Sequence, residues 1–104
     1  MSFRKRRGDA GERWVKNLLK NACPEATIVD LSPSWPCDLL QLDPVDDDRA
    51  LTATWIEVKV LRRGRPKLTV PEAAFFADRQ RRGDFTRLYH LRPDGVGFQL
   101  VSIR

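Results

Sequence analysis

The chain contains one histidine and two cysteines in 104 residues, and it has no long apolar run. Each shortage closes off a class of protein. A membrane-crossing helix needs roughly 18 or more consecutive apolar residues, so none is expected. No signal-peptide apolar region follows the basic start, and a cytoplasmic location is the expectation. Cys23 and Cys37 lack the paired spacing and the histidine partners of a zinc site. They are expected to be small buried hydrophobes in a reducing compartment. His90 stands alone in the strand-like run Arg87 to Arg92, which favours a structural role over a catalytic one. Internal repeats and low-complexity segments are absent from the sequence. A single domain, 1–104, is expected, with one core and little room for a separate recognition unit.

Charge is what the chain has in plenty. Charged residues make up 32% and the net charge is +5, but the distribution says more than the sum. Residues 1–20 carry seven Lys and Arg against two acids, and residues 62–87 carry eight against three. Each block alone therefore holds an excess equal to that of the whole chain. An isolated Arg4-Lys5-Arg6-Arg7 run reads as simple solubility or as a basic, flexible arm over 1–8. A second block, Arg62-Arg63-Gly64-Arg65-Pro66-Lys67, in a loop opened by Gly64 and Pro66, favours a surface that tracks phosphates. Arg4, Lys5, Arg6, Arg7, Arg62, Arg63, Arg65 and Lys67 are the expected contacts to a nucleic-acid backbone. The acids gather elsewhere. Asp43, Asp46, Asp47 and Asp48 read as a solvated turn with Asp43-Pro44 as the breaker, and they lack the ligand spacing of a calcium loop.

The remaining pattern predicts an α/β chain in the order α-β-β-β-α-β-β, with a mixed sheet flanked by helices. Asp9 and Glu12 have capping-box spacing, and Ala10, Trp14, Val15, Leu18, Leu19 and Ala22 recur at helical period after them. Strands are expected over 26–31, 37–42 and 51–61, the last two as a hairpin across the acidic turn. A helix over 70–82 is framed by a Thr69/Glu72 capping box, Pro71 and Gly83. Strands over 86–91 and 97–103 then flank the turn Arg92-Pro93-Asp94-Gly95.

Candidate chemistry lies between Pro36 and Lys59. In the run Trp55-Ile56-Glu57-Val58-Lys59-Val60, alternation puts Glu57 and Lys59 on one face and Ile56, Val58 and Val60 on the other. If Asp38 ends the neighbouring strand, two carboxylates and an ammonium converge, which suits a divalent metal and a phosphodiester. Glu12 lies at the edge of the apolar helical stripe, placed to lean over the sheet. Blander readings stand beside these: Glu12 as a capping residue paired with Lys16, Asp38 as a turn residue after proline, and Glu57 with Lys59 as an ion-pairing sheet face.

The spacing Pro36-Cys37-Asp38 followed by Glu57-Val58-Lys59 resembles the PD-(D/E)XK nuclease superfamily, with Cys37 splitting the family's Pro-Asp pair. The segment from Arg4 to Leu19 is similar to the start of archaeal Holliday-junction resolvases, where a basic segment and a glycine precede a helix with an active-site glutamate. Gly11-Glu12-Arg13, Glu57-Val58-Lys59 and Leu68-Thr69-Val70-Pro71-Glu72 are similar to the restriction-like domain at the C-terminus of NO VEIN-type proteins. The resemblance implies a restriction-endonuclease-like core with catalytic residues Glu12, Asp38, Glu57 and Lys59. It implies Mg²⁺, with Mn²⁺ as an alternative, held by Asp38, Glu57 and the Val58 carbonyl.

The expected activity is metal-dependent DNA hydrolysis, selective for double-stranded or branched structure and carried out by a homodimer. The alternative is a nuclease-fold DNA-binding module that has lost cleavage, or a subunit of a larger DNA-processing complex. A nuclease acting on single-stranded ends would need an aromatic stacking platform, for which Trp35, Phe75, Phe76 and Phe85 are available. Phe75 and Phe76 are better placed for core or dimer contacts.

Overall fold

The computed structural model describes residues 3–31, 33, 35–45 and 50–104, with side chains from Gly8 onward. Its elements are α1 (Phe3–Ala22), β1 (Thr27–Asp30), β2 (Leu39–Val45), β3 (Ala50–Val60), α2 (Val70–Arg81), β4 (Phe85–Pro93) and β5 (Phe98–Ile103). The five strands form one sheet in chain order. β1, β2 and β3 run as an antiparallel meander, β3 and β4 pair in parallel, and β5 returns antiparallel to β4. Parallel neighbours need a crossover connection, and α2 supplies it. The described residues form an α/β fold with a mixed sheet and two helices.

Alternation along β3 divides the core in two. Ile56 and Val58 pack with Val15 and Leu19 of α1, Leu39 of β2, and Tyr89 and Leu91 of β4. Trp55 faces the other way, against Phe76 of α2 and Cys37, with Leu31, Leu40, Leu68 and Phe75 around them. The helices therefore cover opposite faces, a three-layer arrangement. Val15, Leu39, Ile56 and Leu91 are fully buried, each stabilising the fold by about 1.5–3 kcal/mol. α2 begins as expected: the Thr69 hydroxyl accepts from the Glu72 amide, the Glu72 carboxylate accepts from the Thr69 amide, and Pro71 occupies the first turn. Gly83, at φ +90°, takes the left-handed conformation that follows the helix end.

Gly11 sets how closely α1 approaches the sheet. A methyl group there would meet the Val60 side chain, with Leu91 and Val58 next to it. Only a residue without Cβ lets this turn of α1 lie on β3.

Two sequence expectations are corrected. α1 begins at Phe3, not at Asp9, so Asp9 and Glu12 stand inside a helix rather than at its cap. Arg and Lys are good helix formers, and no proline interrupts residues 3–8. The segment expected as an arm is thus helical from Phe3, while the side chains of Arg4, Lys5, Arg6 and Arg7 lie outside the described residues. Asp43-Pro44 does not break β2, which pairs with β3 as far as Val45. β1 ends opposite Leu42, so Pro44 lies where β2 has a strand on one side only, and such an edge tolerates proline. Asp46, Asp47 and Asp48 lie outside the described residues.

Candidate active site

Asp38 is pinned by its backbone at the entrance to β2. Its amide donates to the Ile56 carbonyl at 2.9 Å, and its own carbonyl accepts from Leu31 at 3.1 Å. Its carboxylate oxygen Oδ2 then accepts from the Val58 amide at 2.7 Å, which fixes the side chain against the edge of β3. The Ile56 carbonyl and the Val58 amide both turn toward Asp38, because every second residue of a strand directs its backbone groups to the same edge. The Val58 carbonyl consequently faces Asp38 as well.

Three elements bring carboxyl groups to this point. Glu12 comes from α1 and lines the same cleft as Asp38, which raises its pKa. Glu57 comes from β3 and lies beside Asp38 and Glu72 of α2, both of which raise its pKa. Lys16, the alternative partner considered for Glu12, instead pairs with Asp30 of β1. Glu12, Asp38, Glu57 and Glu72 thus form a chain of contacts from one helix to the other across the strand ends. Among the described residues, no three acid, histidine or cysteine side chains form a ready-made metal-ligating group. The expected set, two carboxylates and one carbonyl, lies below that count.

Burial and like charge govern how this chain ionises. Glu57 is only 4% exposed, and burial first, then the hydrogen bonds to Asp38 and Glu72, push its pKa up to about 11. Burial and Asp38 push Glu12 up to about 8. Glu72 goes the other way: burial alone would raise it, but hydrogen bonds with Glu57, the Thr69 amide and Lys59 bring it down to about 2. Glu57 is the proton holder and Glu72 its ionised neighbour. Carboxyls that must hold protons to tolerate each other are a donor set short of positive charge, and all their ligating atoms are oxygen. That chemistry fits a hard divalent cation such as Mg²⁺.

Lys59 emerges on the Glu57 face, as alternation required. Its Nζ lies 2.9 and 3.0 Å from the two oxygens of Glu72. Glu72 therefore does more than cap α2, and the sequence reading missed this second role. Its only sequence signal is an acid at the start of the helix that follows Glu57-Val58-Lys59.

A cleft of about 240 Å³ opens beside the carboxyls, lined by Asp9, Glu12, Leu31, Pro33, Trp35, Cys37 and Asp38. Cys37 is buried and its thiol is pushed up to about 12 by burial and by Glu57 and Asp38, so it stays a protonated hydrophobe as expected. Cys23 is half-buried and also free. His90 is 3% exposed and pairs in register with Lys59 on β4. Arg62, Arg63, Arg65 and Lys67 are exposed in the loop that leaves β3. Phe76 is buried, as its expected core role requires.

Comparison with known proteins adds no relative: no family model matches the chain, and no curated protein matches its sequence.

Proposed function

We propose that the chain is a metal-dependent deoxyribonuclease with a restriction-endonuclease-like core, hydrolysing phosphodiester bonds in branched or otherwise structured DNA. The observation that carries this reading is the placement of Glu12 of α1 and Glu57 of β3 beside Asp38 at the entrance to β2, with Lys59 on the same strand face as Glu57. Asp38, Glu57 and the Val58 carbonyl are the groups to hold Mg²⁺, and Mn²⁺ presents the same ligand demands. Bound there, the ion supplies charge neutralisation at the scissile phosphate and acidifies water.

The chain's own residues do the rest. Glu12 completes the acidic wall from α1. Lys59 orients the attacking water or steadies negative charge as it develops on the phosphate, and Glu72 holds the ammonium within range of that position. Arg62, Arg63, Arg65 and Lys67 carry the backbone phosphates, which gives affinity without base reading. A homodimer would present two such sites to two strands.

One observation favours a second reading. Both Glu72 oxygens engage Lys59, which leaves the ammonium neutralised by the protein itself. A nuclease-fold DNA-binding module without cleavage is consistent with such a pair. The test is cleavage of four-way junction, flap, duplex and single-stranded DNA in Mg²⁺ and in EDTA. Mg²⁺-dependent cutting that is lost in Glu57→Ala and Lys59→Ala, with DNA binding retained, supports the nuclease. Binding without cutting on every substrate supports the module.

A further inference from the structure

We propose that Trp35 is a stacking platform for an unpaired nucleobase beside the carboxyl cleft. The inference rests on the nuclease reading and narrows it: the preferred substrate carries at least one unpaired nucleotide next to the scissile phosphate, as flaps, gaps and single-stranded ends do.

Trp35 keeps 42% of its surface in solvent, although it lines the same cleft as Glu12 and Asp38. Beneath it lies a buried cluster of Trp55, Phe76 and Cys37, with Leu31, Leu40, Leu68 and Phe75 around them. The ring is nonetheless held from behind. Its centroid lies 5.7 Å from that of Trp55, with 23° between the planes, and the edge of Phe75 meets it at 6.1 Å. Trp55 is itself fixed, since its Nε1 donates to Asp84 at 2.9 Å. The Arg79 guanidinium lies over Trp55 at 4.3 Å and near Phe75 at 4.9 Å, adding positive charge to the stack.

An aromatic ring that is supported by other rings and still 42% exposed is preorganised for stacking, because little conformational freedom remains to be lost on binding. The occupant follows from the neighbours. A base laid on Trp35 carries its phosphate toward the carboxyls that line the same cleft, and a planar π-face is the feature all bases share. A cleft of this size takes one base but not a stacked base pair, so the nucleotide must be unpaired. Base-specific readout is not expected.

The experiment reads binding with the chemistry silenced. Fluorescence anisotropy of labelled decathymidylate, decauridylate and a blunt DNA duplex is measured in EDTA for the parent, Trp35→Ala and Trp35→Phe. Loss of one stacked base corresponds to about a 5- to 150-fold weakening on the single strands, with duplex affinity within about twofold. Trp35→Phe should recover most of the loss. The single strands should quench tryptophan emission in the parent and do so much less in Trp35→Phe, where Trp14 and Trp55 remain. A loss confined to the DNA or the RNA strand shows that the 2′-hydroxyl or the thymine methyl sets the preference and still supports the platform. Equal weakening on duplex and single strands, or no weakening on either, overturns it. A protein that never cuts but shows this Trp35 dependence retains the platform and loses the nuclease reading. Cleavage combined with a neutral Trp35→Ala does the reverse.

Discussion

Replacing Glu57 by glutamine removes an acid that the fold keeps protonated, and the consequence can be followed through stability against pH. Its pKa is raised from 4.5 to about 11 on folding, so between those values the folded chain binds a proton that the unfolded chain has lost. Stability is then fully present below about pH 4.5 and falls as pH rises, by about 1.4 kcal/mol per pH unit for each proton so held. Glu12, raised to about 8, adds the same sign up to that pH. Other groups set the useful window. His90 is lowered by burial and by Arg92 and Arg104, so it acts with opposite sign, but only below its ordinary value of 6.5. Cys37 begins to matter only above its ordinary value of 9.0, and Glu72 has titrated long before.

From pH 6.5 to 8, Glu57 alone should therefore remove about 2 kcal/mol from the metal-free protein. Glu12 is more open to solvent, and after discounting for screening it adds about 1 kcal/mol. A loss of about 3 kcal/mol is large against a total stability of order 5–15 kcal/mol. Urea unfolding in EDTA measures it directly. Glu57→Gln should flatten the slope by about 1.4 kcal/mol per pH unit and stabilise the protein at pH 8. Mg²⁺ should raise parent stability at pH 8 by up to about 2.7 kcal/mol at one hundred times its Kd, and raise Glu57→Gln far less. A flat profile in EDTA, or the same slope in Glu57→Gln, would refute the shared-proton account of the site.

Glu72→Gln keeps a side chain able to complete the capping box but removes the charge that holds Lys59. Unfolding free energy should change by less than about 1 kcal/mol while kcat falls about tenfold at unchanged KM; an unchanged kcat would show that Glu72 does not act on the transition state through Lys59. Replacing Arg62, Arg63 and Arg65 by Ala should reduce the log-log salt dependence of duplex binding by about 0.9 for each phosphate no longer neutralised, and should weaken every DNA structure alike. An unchanged salt slope would place the DNA path on another face. Gly11→Ala should destabilise by about 1 kcal/mol, since overpacking against Val60 costs about 1–3 kcal/mol and helix propensity returns about 1. A more stable variant in urea would show that α1 has room to spare.

What the sequence made legible was local and periodic. The Glu57 and Lys59 face follows from the two-residue repeat of a strand, and the start of α2 from Thr69, Pro71 and Glu72, whose roles are settled within one turn. Misreadings arose where a local signal met a longer-range one. Asp9 has the chemistry of a cap, yet the run Arg4 to Arg7 before Gly8 is made of helix formers and the helix passes through. Pro44 is a breaker only where both strand edges need partners. The pairing of Lys59 with Glu72 joins residues across a loop, and the stacking of Trp35 on Trp55 joins two different segments. Neither has a spacing rule that a one-dimensional reading can apply. Glu12 was legible for a different reason, since its place beside the apolar stripe of α1 survives a helix that starts earlier.

The energetics of the acids bear on why they are together at all. Glu57 is buried against Asp38 and Glu72, and the proton it retains makes the metal-free fold weaker as pH rises through neutrality. An amide or an apolar side chain of similar size would remove that dependence, so stability alone gives no reason for the arrangement. Lys59 neutralises Glu72, at the far end of the chain of contacts, and leaves Glu12 and Glu57 holding protons beside Asp38 in place of a cation. Perturbed carboxyls beside a cleft are what a cation-assisted site requires, and the same burial that raises their pKa strengthens their hold on a divalent ion once the protons leave. If Mg²⁺ binds as proposed, its addition at pH 7 should release protons. The release should amount to between one and two protons per chain in the parent, and to about one fewer in Glu57→Gln. Magnesium binding without proton release would mean that the ion sits elsewhere, and the carboxyl chain would then have to be explained without it.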